Sequence, residues 1–425
     1  MSWLGNLFAG QFGPSRSVGD SGHWMFRGLG GRTESGVSVN QFTAMNLPVV
    51  YAAISRIADS VGMLPFHVYR SSGGRTQMQP DHRITRLLRD RPNPYMNAFT
   101  FKQTLLSHAL GWGNGYWENE LNGRGETIAL WPLLPDVTYP QRDPNEPQHI
   151  RYQTQVSGQS FSLDPDRVVH LKALGHDGYL GYSPITLARN AIGMGVAMET
   201  FGGKFFANEA RSGGFVQHPL SLSPQAQKNL ADSVAAQGGL DSAHRIKVLE
   251  EGAKFIPTTV SPDDAQFVGS RSFQIAEIAR MYNVPLAMLQ EASGTSNWGS
   301  GIEQLMIGFV VYTLGPWIAQ MELEFDEKLF TEAERAQGYY VKCSTQALLR
   351  GDMAARVAFY KGMREVGAFS ANDVRELEDR NPEPGLDGYH RPGNWVPVDA
   401  PAPGATAAPV PAPAPVDEDT TEVTE

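Results

Sequence analysis

Apolar residues recur at Val50, Ile54, Ile57, Ala58 and Val61, the spacing of one helical face. Pro48 suits the first turn of a helix over 48–63, where its missing N–H has no partner to lose. A strand over 65–69 follows. A short helix over 81–89 ends at the Pro92–Pro94 turn, and Asn97 or Thr100 can cap a helix through Leu110. Alternating runs at 115–121 and 127–133 flank Asn122-Gly123, a hairpin signal. Further strands are expected over 150–155 and 168–171, so the first part of the chain is of the α+β class. A second helical register runs through Ile302, Leu305, Met306, Phe309, Val310, Leu314, Trp317, Met321 and Phe325. Pro316 lies inside it and removes one backbone donor, which predicts a kink rather than a stop.

Between these regions the pattern changes. Ser183-Pro184 supplies a cap and a first turn for a helix through Ala210, roughly 40 Å long if continuous. Gly193, Gly195, Gly202 and Gly203 weaken it. Gly202-Gly203 also gives a neighbour room for close approach. A small module follows, with a strand at 214–217, a helix at 223–237 and a strand pair across RIKVLEEGAKFIPTT. A second long helix is expected from Pro262 to Leu289, kinked at Pro285. Next comes the loop EASGTSNWGSG, with Trp298 in its middle, a costly residue to expose. Two or three short helices are expected over 346–380. Residues 1–39 are Gly/Ser-rich without a period and are read as flexible, although Trp3, Leu4, Leu7 and Phe8 could form a short docking helix. Residues 396–425 are Pro/Ala-rich with an acidic end, which predicts a disordered tail.

Chemistry is sparse. With 41% hydrophobic and 19% charged residues the composition is that of a globular protein. No apolar run is long enough to span a membrane, and the N-terminus lacks the pattern of a signal peptide. Cys343 is the single cysteine. An internal disulfide is therefore impossible, and YYVKC reads as a strand carrying a small buried hydrophobe. Gly202-Gly203-Lys204 is no phosphate loop, because Met198 and Phe205 stand where glycine and a hydroxyl are needed. The glycines from Gly175 to Gly181 have the spacing of a turn rather than of a dinucleotide loop. The histidines show no metal-ligand spacing, and His170 is read as a satisfied strand histidine. Asp263-Asp264 and Glu250-Glu251 are adjacent carboxylates that do not face each other. The expectation is no enzyme, no cofactor and no metal. A net charge of −10 argues against tight nucleic-acid binding but allows DNA to slide past an acidic wall.

Taken together, PVVYAAISRIADSVGMLPFHVYR, HALGWGNGYWENELNGRGE, DGYLGYSPITLARNAI, FFANEARSGG, AHRIKVLEEGAKFIPTT, QFVGSRSFQIAEIARMYNVPLAML, SNWGSGIEQ, TLGPW and LLRGDMAARVAFYKGM resemble the portal proteins of tailed bacteriophages. The likeness is to the branch of long-tailed phages and gene transfer agents. The resemblance implies a dodecameric ring at one capsid vertex of the virion, with double-stranded DNA passing through it. It implies a wing (40–182 and 302–345), stem helices (183–210 and 262–289), a clip (211–261), a tunnel loop (290–301) and a crown (346–395). Ser293, Thr295, Ser296, Asn297 and Trp298 would face DNA, in a loop without Lys or Arg. His244, Arg245, Lys247 and Lys254 in the clip would dock the terminase large subunit and then the head–tail adaptor, while the major capsid protein surrounds the ring. The chain departs from the family pattern at Val284-Pro285-Leu286, where the pattern has a second proline. The competing reading is an adaptor that binds proteins and never contacts DNA.

Overall fold

The computed structural model describes residues 33–143, 146, 148–207, 214–217, 223–236, 254–257, 266–289, 300–345, 348, 353–378 and 380–389. The chain divides into two units, residues 1–349 and 350–425. In chain order the strands are β1 (Phe66–Ser72), β2 (Arg75–Met78), β3 (Asn114–Leu121), β4 (Thr127–Leu133), β5 (Tyr139–Arg142), β6 (Ile150–Val156), β7 (Gln159–Leu163), β8 (Val168–Lys172), β9 (Gly214–Gln217), β10 (Lys254–Pro257) and β11 (Tyr339–Cys343). They pair antiparallel as β11-β1-β2, β4-β3-β8, β5-β6-β7 and β10-β9. Helices and sheets mix throughout the first unit, as the α+β pattern predicts.

The helix Pro48–Gly62 buries Val50, Ile54, Ile57, Ala58 and Val61. It packs on the helix Ala98–Trp112. Asn97 caps the latter, its Oδ1 accepting the Thr100 N–H at 2.8 Å. Gly113 ends it in the left-handed region, at φ 83°. A Cβ there would lie 2.4 Å from the Tyr182 backbone, so only glycine lets the two segments cross. Phe101 stacks on Trp117 at 3.9 Å, Trp117 on Phe325 at 5.3 Å, and Phe325 meets Phe66 edge-on at 5.5 Å. These four buried rings join two helices and two sheets into one core. Lys102 lies beside them, donating to the Leu64 carbonyl at 2.5 Å, and burial pulls its ammonium down to about 8.

The helix Gly315–Lys328 holds both sheets by their edges. Gln320 Oε1 accepts the Lys172 N–H at 2.9 Å and Glu324 Oε2 the His170 N–H at 3.2 Å, both on β8. Glu322 Oε1 accepts the Cys343 N–H at 2.8 Å and Asp326 Oδ1 the Val341 N–H at 2.6 Å, both on β11. Four helical residues rise about 6.0 Å and two strand residues about 6.6 Å, so side chains four apart reach alternate amides. Edge strands that would otherwise invite foreign pairing are thereby closed. The cost is electrostatic. Burial pushes the Asp326 carboxyl up to about 6, against the lowering effect of the Val341 amide. Burial raises Glu324 as well.

His170 is a satisfied strand histidine, as expected. Its Nε2 donates to Asn114 Oδ1 at 2.9 Å and its Nδ1 accepts from the Tyr152 hydroxyl at 3.1 Å. Complete burial holds it neutral, well below the usual imidazole range. Cys343 is buried opposite Phe66, its thiol pushed up to about 12 by desolvation, an inert core residue. The expected flexible segment 1–39 stops short. Thr33 and Val39 are buried, and Thr33 packs against Gly193.

Three expectations about helices need correction. The helix after Ser183 is not continuous. Pro184–Leu187 is one turn, the backbone leaves the α region at Ala188 (φ −94°, ψ 16°), and Arg189–Ala207 follows. Ser183 donates to Gly111 O at 2.8 Å, while Gly193 seats on Thr33, and the axis changes between these anchors. Close approach within the chain occurs at Gly193 and Gly195, whereas open space surrounds Gly203. The helix Gln266–Met281 ends at Met281 rather than kinking at Pro285. Asn283 takes φ 53°, and the Val284 N–H bonds Ala279 O at 3.0 Å while the Asn283 N–H bonds Arg280 O at 3.1 Å. That is a Schellman stop with asparagine in glycine's place.

The second unit contains helices Met353–Glu365 and Ala371–Leu377. Ser370 and Asp373 form a capping box. Tyr360 donates to Glu378 Oε1 at 2.5 Å, and Arg356 pairs with the same carboxylate.

Candidate functional site

The predicted DNA-facing residues Ser293, Thr295, Ser296, Asn297 and Trp298 lie outside the described residues, as do His244, Arg245 and Lys247 and both pairs of adjacent carboxylates. Of the docking set only Lys254 is placed. It is exposed at the start of β10, opposite Gln217 of β9. What the structure does describe is the frame on either side of the 290–299 loop.

The incoming side is the helix Gln266–Met281, its Asn283 stop, and a 3-10 turn at Leu286–Leu289. Gln274 fastens that helix to Arg189–Ala207, donating to Ala191 O at 2.5 Å. Gly195 lies under Gln274 and Leu47, where a Cβ would crowd Leu47 at 3.0 Å. The outgoing side is the helix Ser300–Gly308, a π turn at Phe309–Leu314, and the helix Gly315–Lys328. The chain thus continues through Pro316, as the pattern predicts, and a π turn accommodates it. Pro316 has no N–H for the Tyr312 carbonyl, and its ring would press on that group in a straight α-helix. Widening the ladder by one residue relieves the pressure, with the Gly315 N–H bonding Val310 O.

Two hydrogen bonds at Asn283 tie the two sides together. Asn283 Nδ2 donates to Tyr312 O at 3.2 Å, and Thr313 Oγ1 donates to Asn283 O at 2.5 Å. No sequence pattern announced that contact; an asparagine before Val-Pro was its only trace.

Three large apolar side chains face outward on the paired helices. Met194 is 44% exposed, Phe201 58% and Phe273 61%. Met194 and Phe201, seven residues apart, share a face of Arg189–Ala207. Among the described residues no cluster of His, Cys, Asp or Glu could hold a metal ion. No described helix is long and apolar enough to cross a membrane.

The profile of the phage portal protein family matches residues 48–379. The chain belongs to that family. The portal protein of Enterobacteria phage HK97 is 31% identical over 364 residues, covering 85% of each chain. The probable portal protein of Streptomyces phage phiC31 is 31% identical over 381 residues, covering 84% of this chain and 79% of that one. In fold the chain is similar to a component of the neck of a native gene transfer agent particle computed with C12 symmetry. The TM-score is 0.53 at 22% identity, with 90% of this chain and 100% of that one covered. Portal family members are structural components of the particle rather than enzymes, and the helices and sheets described above are the portal fold in this chain.

Proposed function

We propose that this portal-family chain forms a dodecameric ring at one capsid vertex and serves as the conduit for DNA packaging and ejection. The observation that carries the reading is the apolar outward face of the two paired helices. Met194 and Phe273 remain exposed on these helices, and a second copy packed alongside would cover them. The C12 symmetry of the gene transfer agent neck is consistent with twelve copies. In this reading Asn40–Tyr182 with Ile302–Thr345 form the wing, Ser183–Ala210 and Pro262–Leu289 the stem, Arg211–Ser261 the clip, and Gln346–Trp395 the crown. The loop at 290–301 borders the DNA channel, and a net charge of −10 favours loose passage over grip. Terminase large subunit and head–tail adaptor dock in turn on the clip, where Lys254 adds positive charge.

The purified protein at micromolar concentration should give a particle of roughly 0.5 MDa and a ring in negative stain. A monomer or dimer across several salt concentrations would defeat the proposal.

A further inference from the structure

We propose that the π turn Phe309–Leu314 is a hinge and that Asn283 is its latch. Among the described side chains, the long helix is held unequally on the two sides of this turn. After it, Gln320, Glu322, Glu324 and Asp326 bind four strand amides, and Phe325 lies in the aromatic core. Before it, a cavity of about 330 Å³ separates Gln304, Leu305 and Gly308 from Ala276, Ala279 and Leu286 on the opposing segment. Gly308, at the boundary, has open space where a side chain would be, and it is a weak helix former.

The turn is where the regular ladder changes, because the proline has no amide to offer Tyr312 O in an α-helix. Asn283 donates to Tyr312 O, and its own carbonyl receives the Thr313 hydroxyl. Its left-handed backbone, φ 53°, aims both groups at the turn. Breaking these two bonds releases the Ser300–Gly308 arm into the cavity without disturbing the helix that follows. Asn283 therefore acts as a positioning residue for the arm. The hinge belongs to a single chain and goes beyond the ring reading, so it stands or falls separately from it.

Hydrogen–deuterium exchange on the full-length protein tests this. Asn283→Gly keeps the left-handed backbone and removes the amide donor; Thr313→Val keeps the shape and removes the hydroxyl. Each should speed exchange at residues 304–312 by roughly three- to tenfold, the value of one or two hydrogen bonds. Residues 318–328 should keep wild-type rates. Gly308→Ala, which the open space accepts, should slow exchange at 304–308. Unchanged rates in both latch variants, or an equal rise on both sides of Pro316, would overturn the hinge. Should the Asn283 variant fail to fold, the near-isosteric Thr313→Val decides the question by the same readout.

Discussion

The helices Gly315–Lys328 and Arg189–Ala207 both carry apolar residues at helical spacing, yet the chain buries three of them on the first, leaving Leu323 outward, and far fewer on the second. Gly315–Lys328 buries Ile318, Met321 and Phe325, and three of its four acids accept strand amides. Arg189–Ala207 buries Ile192 and leaves Met194 and Phe201 outward, with glycines where it touches its own chain. The first is a structural beam of one subunit. The second has a finished inner face and an outer face whose composition suits another protein surface. Periodicity alone reports that a helix has an apolar side, not who covers it.

The comparison breaks most severely at the aromatic column. Phe325→Ala removes a fully buried ring between Trp117 and Phe66 and should cost about 3–5 kcal/mol. Urea unfolding followed by tryptophan fluorescence would register the drop in midpoint; an unchanged midpoint would show that the column does not bear the fold. Glu322→Ala strands the Cys343 N–H, a loss of roughly 1–3 kcal/mol, while the exposed Lys342 ammonium turns to water. The urea midpoint should fall accordingly, and hydrogen exchange should find β11 loosened first.

A gentler probe is pH. The Asp326 carboxyl has a folded value raised to about 6 from the ordinary 3.8, so the folded chain holds that proton more tightly than the unfolded chain does. Its contribution to stability is therefore greatest in acid and declines as pH rises through that window. Asp326→Asn keeps an acceptor for the Val341 N–H and removes the decline. It should stabilise the protein at pH 7 by on the order of 1 kcal/mol, discounted because the carboxyl is only partly buried. His108 works oppositely, since burial lowers its imidazole to about 4 and its contribution is lost as pH falls below the unfolded value. The Asp326 effect must accordingly be taken as the difference between wild type and variant at each pH. A difference that does not change from pH 4 to 7 would contradict it.

The smallest effect on the fold is expected at the outward face. Met194→Ser and Phe273→Ser should leave monomer unfolding within about 0.5 kcal/mol, as exposed substitutions do. Mass photometry should nevertheless find fewer assembled particles. Full assembly in the double variant would mean that these side chains face solvent, and the contrast between the two helices would lose its functional meaning.

Local chemistry made much of this chain legible. Pro48, Asn97 and Asn122 mark their elements because a helix start or a hairpin turn is decided by a few consecutive residues, and the structure places those elements within two or three residues of expectation. Three strands escaped notice. β2 is exposed throughout, β7 in all but its last residue, and β5 is short, so none shows apolar alternation. The pattern predicts a kink at Pro285, whereas Asn283 has already ended the helix, because a left-handed asparagine leaves no periodic trace. The residues expected to face DNA, and all but Lys254 of the docking set, fall outside what the structure describes.

By itself the sequence determined the order and type of most elements, the absence of a phosphate loop or thiol pair, and enough scattered motifs to point to the portal family. Those depend on neighbours along the chain. Only the tertiary structure decided what the acids of Gly315–Lys328 are for, how Pro316 is absorbed, and why Asn283 matters. Each of these is a bond between residues far apart in sequence, and the hydrogen-bond demand of a buried edge amide or an orphaned carbonyl becomes visible only when the fold brings its partner within about 3 Å.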